Sequence, residues 1–94
     1  GEEFCAVLCD VTAEDASRLV ERLRMAVAAL PLTGPDMAPI GPVTVSAGVA
    51  CGPADGRTVD ELIARADRAL YVAKRQGRNR VVLFEPSMEE SAAA

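Results

Sequence analysis

Histidine is absent from this chain, and cysteine is scarce: Cys5, Cys9 and Cys51 are the three thiols. Without histidine the usual nitrogen partners of zinc are missing, and the thiols show no Cys-x-x-Cys spacing. An odd number of cysteines is not a disulfide framework. Cys5 and Cys9, four residues apart on one strand face, stand too far along it for an easy bridge. All three read as small buried hydrophobes of a reducing compartment. Long apolar runs are also lacking, so no membrane span is expected. The first residues are acidic rather than a basic stretch ahead of an apolar block, which is not a secretory leader. Nor is there an excess of cations. Ten Lys and Arg against fourteen Asp and Glu leave a net charge of −4. A nucleic-acid coat needs a basic face to neutralise phosphates, so that class is disfavoured.

What is present is a chain of 94 residues, 50% apolar and 26% charged. That composition fits one soluble globular domain, near the lower end of the size that holds a core unaided. The apolar run from Phe4 to Cys9 reads as a largely buried strand. Thr12 then caps a helix, with Glu14 and Asp15 suited to the positive end of its dipole. Ala16, Leu19, Val20, Leu23, Ala26, Val27 and Leu30 recur at steps of three and four, one apolar face, and Pro31 stops the helix. "PLTGPDMAPIGP" holds four of the six prolines and reads as a surface loop.

In "VTVSAGVAC", Val43, Val45, Ala47 and Val49 alternate with Thr44, Ser46 and Gly48. This predicts a strand with one bulky and one unusually small face. Gly48 within it implies a bulge or the close approach of another element. Thr58 and Glu61 form a capping box ahead of the clearest helix. Its buried stripe is Val59, Leu62, Ile63, Ala66, Ala69, Leu70 and Ala73, and Gly77 is the expected terminator. "NRVVLFE" is a last short strand, and the residues from Pro86 read as a frayed tail. The order is strand–helix–strand–helix–strand, an α/β arrangement.

Two charge clusters carry chemistry. On the second helix Asp67, Tyr71, Lys74 and Arg78 step by four, three and four along a stripe distinct from the leucines. Lys74 and Arg78 sit where the helix dipole favours cations, and taken alone they read as dipole-complementing surface charge. Yet "AKRQGRNR" gathers Lys74, Arg75, Arg78 and Arg80 in an acidic chain. Such focused charge can grip a triphosphate tail, lysine as a point charge and arginine as a bidentate fork. Glu2 and Glu3 have the same two readings: solvated acids, or oxygen ligands for a hard cation that leave positions open to phosphate. Gly1 beside them would let backbone N–H groups approach an anion.

Taken together, "GEEF", "AVL", "VTVSAGVA" and "ELIARADRALYVAKRQGRNRVV" resemble the latter portion of a GGDEF domain, the diguanylate cyclase family. The signature is Gly-Gly-(Asp/Glu)-Glu-Phe, here without its first glycine, and the blocks keep family order over most of residues 1–82. The resemblance implies a palm-like α/β fold: a partial antiparallel sheet with helices packed on one side, residues 1–86 forming the C-terminal portion of the domain and 87–94 a disordered tail. It implies condensation of two GTP into cyclic di-GMP with release of pyrophosphate, using Mg²⁺ or Mn²⁺. Glu2 falls on the family's metal-binding position that activates the attacking 3′-hydroxyl, and Glu3 on a second acidic position close to the metals. Gly1 falls where the turn backbone approaches the nucleotide. Lys74 and Arg78 match the family's Lys and Arg on the terminal phosphates.

Each family domain holds one GTP, so a second GGDEF domain must face it, and an upstream sensory or receiver domain is implied in the parent. The expected location is the cytoplasm, or the cytoplasmic side of an anchored parent, with no nucleic-acid or membrane contact from this segment. The family's first strand, its metal-binding Asp and its guanine-contacting residues precede the signature and are not in these 94 residues, so the chain alone is expected to be inactive. That first strand would run between the strands at 4–9 and 43–51. The expectation is therefore two open strand edges, refilled by a second copy or closed by rearrangement. The alternative is a degenerate relative that binds GTP, or only a partner, and regulates a neighbouring domain.

Overall fold

Five elements form in the expected order: β1 (Glu2–Cys9), α1 (Ala13–Ala28), β2 (Val45–Gly52), α2 (Val59–Arg75) and β3 (Val81–Leu83). The structure is a computed structural model and describes residues 2–41 and 43–89. Local chemistry sets the helix starts. The Thr12 hydroxyl accepts from the Asp15 N–H at 3.0 Å, satisfying one free donor at the start of α1. At α2 the capping box is reciprocal. The Glu61 N–H donates to the Thr58 hydroxyl at 3.1 Å, and the Thr58 N–H donates to the Glu61 carboxylate at 3.2 Å.

The sheet corrects the expected strand pairing. Its order is β1-β2-β3, and both pairs are parallel rather than antiparallel. Two strands that each run antiparallel to a common middle neighbour are parallel to one another, so direct pairing can only be parallel. β1 lies against β2 along its whole length, from Glu2 opposite Val45 to Cys9 opposite Gly52. The gap expected between these strands is thus closed within the chain.

The helices also differ from the expectation: they lie on opposite faces of the sheet, not on one side. Ala47, Val49 and Cys51 pack with Ala16 and Val20 of α1. Ala50 packs with Leu62, Ala66 and Ala69 of α2 on the other face. Every residue of β2 is buried, because helices cover both of its faces. The small face is where α2 docks. A Cβ on Gly48 would overlap the Ala66 carbonyl oxygen and the Leu70 backbone, with Leu70 Cα only 2.8 Å away. The close approach implied by Gly48 is therefore helix backbone on strand backbone.

β1, an edge strand, is less buried than expected. Phe4, Ala6 and Leu8 reach the α1-side core only in part, and the alternate residues are exposed. Cys5 and Cys9 fall on that exposed set, whereas Cys51 is buried. Beyond β3, residues 87–89 form a helical turn. Met88 packs on the α2-side core, and Glu89 lies 3.3 Å from the Arg65 guanidinium. Residues 90–94 of the expected tail lie outside the described residues. Among the described residues, no helix is long and apolar enough to cross a membrane.

Candidate functional site

A helix that links two parallel strands runs back against them, so it ends where the strands begin. The topology therefore carries the cationic end of α2 to the acidic start of β1. Lys74 Nζ lies 2.9 Å from Glu3 Oε2, and Arg78 Nη1 lies 3.8 Å from the same oxygen. The hydrogen bond from Lys74 is the main cause holding the Glu3 carboxyl below the usual range. Slight burial opposes it, and the charges of Lys74 and Arg78 add to it. Lys74 and Glu3 are each about one-third exposed, at 36% and 35% for the side chains, so this is a wet pair open to a solvent-borne ligand.

The strand's period of two separates the acids. Glu3 falls with Cys5 on the side of β1 that faces α2, and Glu2 falls with Phe4 on the α1 side. Among the described residues Glu3 alone of the two meets the cations. Of the four cations in "AKRQGRNR", two turn elsewhere. The Arg75 guanidinium lies over the Tyr71 ring at 5.9 Å, and that of Arg80 donates to the Arg78 carbonyl at 3.1 Å. Gly1 lies outside the described residues.

Arg78 owes its place to a strained turn. Gly77, Arg78 and Asn79 have φ of 116°, 66° and 49°, three successive residues in the left-handed region. Side-chain-bearing residues rarely adopt it and hold it only where the surroundings insist. Three elements do so. The Arg78 N–H donates to the Ala73 carbonyl at 2.9 Å. The Asn79 N–H donates to the buried Ser46 hydroxyl on β2 at 3.0 Å. Arg24 of α1 donates to Asn79 Oδ1 at 2.7 Å, and it also pairs with Glu21. Sequence reasoning does not single out Ser46, Asn79 or Arg24 for this work. The available signal is a serine on the small face of β2, with asparagine two residues after a terminating glycine, because asparagine tolerates this backbone.

Glu2 and Glu3 supply carboxylate oxygens, the donors a hard divalent cation prefers, but from opposite faces of β1, so such a cation would draw most of its oxygens from phosphate and water. Among the described residues no group of three or more acidic, thiol or imidazole side chains could hold a metal by itself. A closed protein cage for a cation is therefore not formed by the described residues.

The described structure is thus a parallel α/β unit whose acidic strand start meets a lysine and an arginine from the far end of α2 and the turn behind it. Residues 1–80 match the diguanylate cyclase GGDEF domain. The chain belongs to the GGDEF domain family. It is 42% identical over 82 residues to the response regulator PleD of Caulobacter vibrioides, spanning 87% of this chain and 18% of that protein. It is 40% identical over 82 residues to the diguanylate cyclase DgcM of Escherichia coli, again 87% of this chain and 18% of the relative. Among solved structures, the GGDEF domain of DgcB from Caulobacter crescentus, in complex with c-di-GMP, superposes with a TM-score of 0.68 at 33% identity. That match covers 78% of this chain and 42% of the other.

Proposed function

We propose that this chain is part of a diguanylate cyclase catalytic domain, which joins two GTP molecules into cyclic di-GMP and releases pyrophosphate. The observation that carries the reading is the meeting of Glu3, Lys74 and Arg78 at one edge of the sheet in a GGDEF-family chain. Lys74 and Arg78 bind the terminal phosphates of GTP, one as a point charge and one as a fork. Lys74 on the last turn of α2 and Arg78 in the turn tied to β2 behind it hold the triphosphate at a set distance from the acidic strand start. By its place in the signature, Gly1 is assigned to substrate binding. Glu2 takes the proton of the attacking 3′-hydroxyl as the new 3′-O–Pα bond forms and the bond from Pα to pyrophosphate breaks.

Glu2 and Glu3 are the residues that would hold Mg²⁺ or Mn²⁺, and the cation supplies charge neutralisation at the phosphates. Each such domain carries one GTP, so a second GGDEF domain brings the other. Because the chain spans a fraction of its relatives, an upstream sensory or receiver domain is part of the same proposal, as is a cytoplasmic location.

Mg·GTP should raise the melting temperature of the 94-residue chain. Lys74→Ala or Arg78→Ala should each weaken that binding by about 1.5–3 kcal/mol, the range for a hydrogen bond to a charged group. In the whole protein, Glu2→Ala should abolish cyclic di-GMP formation. Full activity in that variant would overturn its assignment, and an unchanged melting temperature with Mg·GTP would overturn the site.

A further inference from the structure

The cations that suit a phosphate are already engaged. Glu3 Oε2 sits 2.9 Å from Lys74 Nζ and 3.8 Å from Arg78 Nη1, so one carboxylate oxygen occupies the point where both charges converge. A phosphate oxygen arriving there would meet that carboxylate at close range. Two like charges that close repel each other, and more strongly at a protein surface than in bulk water. Both cannot hold the cations together unless something neutralises one of them. Glu3 stands at the start of an edge strand with its side chain about one-third exposed, so it has room to turn away.

We propose that Glu3 is an internal stand-in for the terminal phosphate: it pairs with Lys74 and Arg78 and is displaced when a polyphosphate tail arrives. The inference rests on the reading of Lys74 and Arg78 as phosphate ligands given above. Its consequence is a coupling between ligands. A divalent cation that draws Glu3 off Lys74 frees the cations for phosphate, and a phosphate that displaces Glu3 frees a carboxylate for the cation. By linkage each raises the affinity for the other by the same factor. Polyphosphate without metal is disfavoured, because it must break the internal pair with no compensation for the released acid. The pair also keeps Lys74 and Arg78 poised at one point, which limits the side-chain ordering that binding would otherwise require.

Calorimetric titration of inorganic tripolyphosphate into the 94-residue chain, with a chelator and no divalent cation, tests the proposal. Glu3→Gln keeps the side chain's size and removes its charge, and should tighten metal-free binding about three- to tenfold over wild type. Glu2→Gln removes the same charge one residue away without opening the pair and should tighten binding by less than about twofold. Glu3→Asp keeps the charge but withdraws the carboxylate by one methylene, so its affinity should fall between wild type and Glu3→Gln. It gives a second readout should the Gln variant fold poorly. Binding by Glu3→Gln and Glu3→Asp no tighter than wild type would overturn the stand-in role while leaving Lys74 and Arg78 as phosphate ligands. Absence of binding by every form would overturn both the stand-in and the phosphate site.

Discussion

The two faces of β2 are packed by different means. On the α2 side the strand offers Ser46, Gly48 and Ala50, and the helix answers with Ala66, Ala69 and Ala73, all fully buried. Small residues on both partners bring backbone to backbone, so the distance between helix and strand is set by atoms that cannot move aside. On the α1 side the strand offers Ala47, Val49 and Cys51, but the helix buries only Ala16 and Val20 completely. Leu19 and Leu23 remain 56% and 50% exposed. With Phe4, Ala6 and Leu8 they line an open apolar groove of about 370 Å³. The charged residues of the candidate site hang from the tighter helix. A site that must hold Lys74 and Arg78 at a fixed distance from a strand needs a helix that cannot slide, and the glycine-and-alanine seam provides one.

The tighter seam is most vulnerable at Gly48. Gly48→Val places a branched side chain where even a Cβ would overlap the Ala66 carbonyl and the Leu70 backbone. Overpacking of a core usually costs 1–3 kcal/mol, but here no side chain can rotate out of the way, so a loss of about 3 kcal/mol or more is expected. Urea denaturation followed by circular dichroism measures it. A variant as stable as wild type would show that α2 does not lie against the strand at this distance.

Ser46→Ala comes next. It removes the acceptor for the Asn79 N–H inside the same seam, and a donor left without a partner costs about 1–3 kcal/mol. The same change should loosen the left-handed turn that holds Arg78, so tripolyphosphate affinity should fall together with stability. A loss of stability with unchanged affinity would separate the turn from the site and make Ser46 a packing residue alone.

These particulars also show how far the residues speak for themselves. The five elements, both caps and the close approach at Gly48 are readable because each depends on neighbours in sequence: hydrophobic period, a capping hydroxyl, a missing Cβ. Strand direction and helix side are not local in this way. Alternation along "VTVSAGVAC" shows that both faces of β2 differ in bulk, but not that a separate helix covers each. The antiparallel, one-sided expectation belongs to a family sheet with another strand between the two that pair here. The stripe of α1 is likewise read correctly as apolar, yet half of it stays open, since periodicity identifies a face and not what lies against it. At the site, helix spacing places Lys74 but not Arg78: α2 ends at Arg75, and Arg78 reaches Glu3 from the left-handed turn beyond it. Strand alternation, applied to Glu2 and Glu3, separates the two acids. The support for this turn joins its own Asn79 to Ser46 of β2 and Arg24 of α1, far apart in sequence, and no local pattern links them.

The smallest effect belongs to the open face. Leu19→Gln and Leu23→Gln replace exposed leucines with residues of similar length that water can solvate, and the α1-side core keeps Ala16 and Val20. Substitutions at such positions ordinarily change stability by less than about 0.5 kcal/mol. Helix propensity pulls neither way, because leucine and glutamine are close on that scale. The double variant should therefore unfold at nearly the same urea concentration as wild type, with tripolyphosphate affinity unaltered, in contrast to Ser46→Ala across the sheet. A loss above about 1 kcal/mol, at protein concentrations where the wild-type mass is that of one chain, would mean that these leucines are buried by their own chain in solution and that the two faces are more alike than they look.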